Sequence, residues 1–236
     1  MLRRDERPNL PLCCDPADRR RTARRVRPHR QPALCGRRAA MIDWPDLPDK
    51  RALLARVRGH RSGWDAGFRP PNLEKVGSGE ESVWDYPRPP RLDPAPATVT
   101  VRQDNVIVAK SDRALDLKET AGAPCPYLPP ADVETEWLVP NGRISLCEWK
   151  GAAVEFDLAM PGQPRVTGAA WSYPDPFDDL AEDYSRIAGW IAFYPSKLAC
   201  FVGDERARPQ PGGLYGGWIT DRIKGPVKGE PGTGHW

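Results

Sequence analysis

Cys147 and Lys150, in the run CEWKG at 147–151, are the residues whose types and spacing best suit chemistry. On an extended strand Cys147 and Trp149 face one side, and Lys150 follows at a turn. An ammonium within a few ångströms of a thiol lowers the thiol's pKa and makes it a nucleophile. Alternatively, Lys150 pairs with a ligand's carboxylate or phosphate while Trp149 stacks on its apolar part. The plainer reading leaves Cys147 as a small buried hydrophobe and Lys150 as a solvated turn charge.

Around this pair the sequence offers Tyr127, Trp171, Tyr173 and Tyr194 as pocket walls with hydroxyls, and Glu119, Arg113 and Asp175 as acid–base or anchoring groups. Each charged member competes with an ordinary surface ion pair, worth about 0–1 kcal/mol. Histidine occurs only at 29, 60 and 235. Residues 98–204 therefore hold no Ser–His–Asp or Cys–His pair and no histidine metal site, and a general base there is a carboxylate, Lys, Tyr or thiolate. No C-x-x-C, P-loop or G-x-G-x-x-G occurs, so no haem, zinc or dinucleotide motif names a cofactor, and no metal ligands are assigned. A metal-dependent nucleotidyltransferase needs a Gly-Ser clamp and then two carboxylates one residue apart. VGSGEESVWDY supplies Gly77, Ser78 and Asp85, but Tyr86-Pro87 stand where the second carboxylate belongs.

The elements that must position these groups are mostly strands. From residue 98 the apolar period is two: TVTV and VIVA flank Arg102–Asn105 as a hairpin, and ALDLKE alternates Leu115 and Leu117 with charge. ETAGAPCPYLPP (119–130) reads as a rigid loop. Asn141-Gly142 predicts a type I′ hairpin between Val139 and Ile144, and Lys150-Gly151 a second turn. Val154, Phe156 and Leu158 alternate in the next strand. DPFDDLAEDYSRIAGW spaces Phe177, Leu180, Tyr184 and Ile187 as a short helix, and PDKRALLARVRG (48–59) another, stopped at Gly59. WIAFYP and KLACFVGD return to strands. An aromatic, a Tyr and a Pro recur in VWDYPRPP, AAWSYPDP and AFYPSK; the Pro biases the Tyr before it to an extended backbone, which makes each tag a strand exit. The total is about eight short strands with one or two short helices, a mainly β, compact antiparallel domain.

Composition sets the outer bounds. Gly and Pro, 21 and 28 of 236 residues, imply many loops, and no apolar run spans a bilayer. The net charge of +3 conceals an arm: residues 1–40 hold twelve Arg and four acids, leaving −5 on 41–236. The body is thus mildly acidic, which argues against nucleic-acid binding by it. Residues 1–40 are expected to be a disordered Arg/Pro-rich arm, with Met41 as an alternative start. Residues 41–97 are expected to form a helix and an extended wrap, 98–204 the β domain, and 205–236 a Gly/Pro-rich tail packed by Tyr215 and Trp218. Scattered Cys and no leader-like apolar core point to a reduced, cytoplasmic setting. Oligomeric state is left open.

Taken in order, CEWKG, AAWSYPDP and IAFYPSK, with Leu117-Lys118-Glu119 and the Pro-Tyr-x-Pro loop at 126–129, resemble the domain of unknown function 427 family over roughly 98–203. The flanking ESVWDYPRPP and GGWITDRIKGPVKGEPGTGHW look like extensions of a longer branch. The resemblance implies a small β-dominated fold; a nickname of the family links it to nucleotidyl transfer. Phe156 stands where many relatives carry Tyr, which puts any essential hydroxyl there in doubt. The expectation is a pocket of Tyr127, Trp149, Trp171, Tyr173 and Tyr194 with Lys150 at its mouth, binding a small, anionic molecule. The alternatives are a metal-dependent nucleotidyltransferase and a noncatalytic interaction module that uses the arm and tail.

Overall fold

The computed structural model describes residues 42–61, 67–234 and 236. The expectations for the Arg-rich arm, Met41, His29 and His235 lie outside them. A single α-helix, α1 (Lys50–Arg61), opens the described part. Asp49 caps it, its carboxylate accepting from the Ala52 N–H at 2.8 Å. Gly59 sits inside the last turn and does not stop the helix.

Two antiparallel sheets carry the fold. The larger has seven strands: β2 (Arg91–Pro94), β5 (Leu115–Lys118), β6 (Cys125–Leu128), β10 (Ile191–Phe193), β9 (Val166–Ser172), β8 (Gly151–Leu158) and β7 (Leu138–Cys147), in that spatial order. The smaller has four: β12 (Glu205–Arg206), β11 (Ala199–Val202), β3 (Val99–Gln103) and β4 (Val106–Ser111). Val99, Val101, Val108 and Cys200 from the small sheet meet Leu128, Val154, Phe156, Leu158, Ile191 and Phe193 from the large one in one buried cluster. Alternation accounts for this, since every second residue of β8 points into that layer. Two short pairs complete the fold: β1 (Glu81–Ser82) lies parallel to β15 (Ile223–Lys224), and β13 (Arg208–Pro209) antiparallel to β14 (Trp218–Ile219). The chain is mainly β, as its period of two predicts.

Three local expectations are corrected. Asn141-Gly142 is not a hairpin turn but an irregularity within β7, whose register with β8 shifts between Pro140 and Ile144. Gly142 does take the expected left-handed φ of +81°, but as a bulge residue. The Asn141 side chain donates to Glu155 and Asp157 at 2.7 and 2.9 Å, which ties the bulge to β8. The Pro-rich stretch at 125–128 is no loop but strand β6 in the interior of the large sheet. Pro126 is tolerated because pairing with β10 covers only Tyr127 and Leu128. The predicted helix at 177–187 shrinks to a 3-10 turn, Tyr184–Ile187. Its first half is irregular, with the Phe177 N–H donating to the Lys150 carbonyl at 3.1 Å rather than entering a helix. Lys50 holds Asp175 and Asp178 at 3.0 and 3.1 Å, and Arg61 holds Asp179 at 2.7 Å.

Candidate functional site

Cys147 and Gly151 are cross-strand partners, so Glu148–Lys150 form the turn joining β7 to β8. Gly151 has φ +101°, and a Cβ there would stand 3.3 Å from the Phe177 ring, so the turn needs glycine after the lysine. The turn folds inward. Lys150 is only 5% exposed and Trp149 4%. The Lys150 ammonium lies 5.5 Å from the Tyr173 ring centroid, in the turn that follows Cys147. Among the described residues no carboxylate comes within 4.0 Å of it. Burial opposes the charged form, but the Cys147 sulfur, the Tyr127 hydroxyl and the Glu119 carboxylate outweigh it and push the Lys150 pKa above the ordinary lysine range. The upward shift favours the ammonium over the free amine, which suits Lys150 to hold an anion rather than to attack a carbonyl.

The rings gather beside it on the face of the large sheet turned away from the small one. Tyr127, Trp149, Trp171, Tyr173, Tyr194 and Cys147 belong to one apolar cluster, in which Ala153, Ala192 and Cys125 are the small members. The Trp171 indole N–H donates to the Tyr127 hydroxyl at 3.1 Å, and Trp171 and Tyr194 have centroids 4.3 Å apart. Burial raises the Tyr127 and Tyr173 hydroxyls well above their usual range and pushes Tyr194 and the Cys125 thiol up to about 12 each. These groups are neutral at physiological pH. The Trp149 indole N–H is buried without a hydrogen-bond partner among the described residues. The Arg61 guanidinium lies 5.7 Å from the Trp149 ring centroid and 5.3 Å from that of Phe177, and its Nε donates to the Glu148 carbonyl at 2.6 Å.

The other nominated residues fall elsewhere. Glu119 pairs with Arg88 at 3.2 Å and Lys228 at 3.6 Å. Burial works against its ionised form, yet Lys228, Lys150 and Arg88 hold its pKa below the ordinary value, so it acts on Lys150 only at longer range. Arg113 pairs with Asp132 at 2.7 Å on the exposed side of the β4 exit, apart from the aromatic cluster. Asp175 serves to dock α1.

A second polar cluster escapes sequence reasoning. The Glu81 carboxylate accepts from Lys118 and the Tyr86 hydroxyl, both at 2.8 Å, and from Arg222. Lys118 also lies 3.4 Å from Asp93, and Arg222 lies 3.6 Å from Asp116. Asp116 is 3% exposed, and its Oδ1 has no hydrogen-bond partner among the described residues. Burial pushes its pKa up to about 6 against the pull of Arg222 and Lys118. Burial also opposes ionisation of Glu81, but Lys118, Tyr86 and Arg222 prevail and hold it down to about 2. The only signal in the sequence is the alternation LDLK, which sets Asp116 and Lys118 opposite Leu115 and Leu117. That pattern reads as a solvent face, because the covering residues 81 and 222 are remote in the chain.

Residues 91–204 match a family model described as Domain of unknown function (DUF427). The match begins at β2, seven residues before the predicted boundary. No curated protein matches the chain.

Proposed function

We propose, from the premise that the chain carries a DUF427-family domain across residues 91–204, that this domain binds a small anionic molecule at Lys150. The observation that carries the reading is a buried ammonium with no carboxylate within 4.0 Å among the described residues, bordered by a thiol and aromatic rings. An anion seated on this ammonium gains a charge-assisted contact for which no carboxylate within 4.0 Å competes among the described residues. The Trp149 N–H supplies a second unused donor in the same turn, and the cluster of Tyr127, Trp171, Tyr173 and Tyr194 supplies apolar contact. Cys147 and Tyr194, the partly exposed members, mark the side on which a ligand enters. Lys150 acts here as an electrostatic anchor, and Cys147 borders it at the start of the turn.

Titration calorimetry against a panel of carboxylates and phosphomonoesters tests this. At least one should bind wild-type protein, and Lys150→Met should weaken it by about tenfold or more, the loss of one charge-assisted contact. Lys150→Arg, which keeps the charge, should retain part of the affinity. Silence of the whole panel with wild type, or equal binding by folded Lys150→Met, overturns the proposal.

A further inference from the structure

The outward face of the small sheet carries a different cluster. Cross-strand pairing aligns Arg206, Phe201, Thr100 and Lys110 in one row over β12, β11, β3 and β4. Arg102, two residues along β3 from Thr100, lays its guanidinium 5.7 Å from the Phe201 ring centroid. A cleft of about 490 Å³ opens there, lined by Thr98, Thr100, Arg102, Lys110, Phe201 and Asp204, with Ala97 and Gly203 at its end. Arg102, Lys110 and Arg206 are exposed, and among the described residues none has a carboxylate within 4.0 Å. Phe201 is half-buried. The face therefore groups three cations about one ring, with Asp204 at the cleft and Asp112 bonded to Thr98 at its edge, on a chain whose body is otherwise acidic.

We infer that this face is a binding site for a nucleotide, independent of the Lys150 site. The base stacks on the Phe201 ring and the Arg102 guanidinium plane, a mode open to any base because every base has a π-face. Lys110, which lines the cleft, takes the phosphate, and Arg206 on the far side of the ring adds positive field. The Asp204 carboxylate accepts from the sugar hydroxyls. The cleft volume lies within the 300–1,000 Å³ usual for small-ligand sites. Nothing in this arrangement reads a base edge, so the site discriminates little among bases. A free nucleotide and one residue of a single strand present the same chemistry to it.

Equilibrium binding of AMP at low salt, with adenosine, inorganic phosphate and a twelve-residue oligo-dT as comparison probes, decides the matter. AMP should bind about tenfold or more tightly than adenosine or phosphate alone. Phe201→Leu should cut its affinity by a similar factor, and so should the triple variant Arg102→Gln, Lys110→Gln, Arg206→Gln. In wild type, AMP should shift the amide NMR signals of Thr100, Phe201 and Gly203, a readout that stands if a variant fails to fold. If oligo-dT displaces AMP and binds more tightly, with affinity that falls steeply with salt, the occupant is a single strand. If it does not displace AMP, the occupant is the free nucleotide. AMP seated at Lys150 would instead shift the Lys150 and Gly151 amides, which separates this site from the one proposed above. No binding of AMP by wild type, or undiminished binding by the Phe201 and triple variants, overturns the inference.

Discussion

At the scale of single residues, Asp116 is the group whose chemistry departs furthest from what its neighbours in sequence suggest. Its pKa is pushed from 3.8 to about 6, so the folded state holds a proton that the unfolded chain has already released. A carboxyl raised in this way costs no stability below pH 3.8. The cost grows as pH rises through 3.8 to 6 and is complete above, at roughly 3 kcal/mol from the size of the shift. Asp116→Asn should therefore gain about that much stability at pH 8 and almost none at pH 4. Urea unfolding at the two pH values checks it, and an equal gain at both would disprove the titration. Glu81 works in the opposite sense: its depressed pKa gives stability that is present above pH 4.5 and lost as pH falls toward 2. Sequence made Lys150 visible, because a Lys beside Cys and Trp at a turn is conspicuous. Asp116 stayed hidden because every group that makes it unusual arrives from beyond its own strand.

Elements show where local signals were sufficient and where they were ambiguous. Alternation located β3, β4, β5 and β8 closely, since half-buried strands impose that pattern directly. Asn141-Gly142 was legible as a place of positive φ, but a type I′ turn and a bulge ask for the same residues. Only the long partner strand β8 makes it a bulge. Cys125–Leu128 was illegible as a strand because four prolines at 124–130 mask it, and its place between β5 and β10 is a tertiary fact. The tail segment before β14 gives a further case. A Cβ on Gly216 would stand 2.0 Å from the Trp171 ring, and one on Gly217 2.8 Å from the Ala123 carbonyl. Gly216→Ala should lower stability by about 1–3 kcal/mol, the usual cost of overpacking a buried contact. Denaturant midpoints measure the loss, and near-UV circular dichroism should report the displaced indole.

For the whole molecule, the segments on either side of the matched domain behave as parts of its body. The Trp218 indole N–H donates to the Phe193 carbonyl at 2.9 Å, in the middle of the large sheet, and its own N–H to the Pro124 carbonyl at 2.8 Å. The Trp84 indole donates to the Pro226 carbonyl at 2.7 Å, and its ring meets Trp236 edge-on at 5.2 Å. Glu81, Tyr86 and Arg222 join the two extensions electrostatically. Among the described residues, no helix is long and apolar enough to cross a membrane. Protein truncated after residue 204 should lose cooperative thermal unfolding, whereas a loosely attached tail would leave the transition unchanged; scanning calorimetry of the two chains distinguishes these outcomes.

The parallel pairing of β1 with β15 also sets an order on biosynthesis. A nascent chain emerges with Glu81 and Ser82 early and waits for Ile223 and Lys224, so an interrupted translation product displays a bare backbone edge and an unfilled Trp218 socket. Such a fragment keeps that edge unpaired until its last strand arrives.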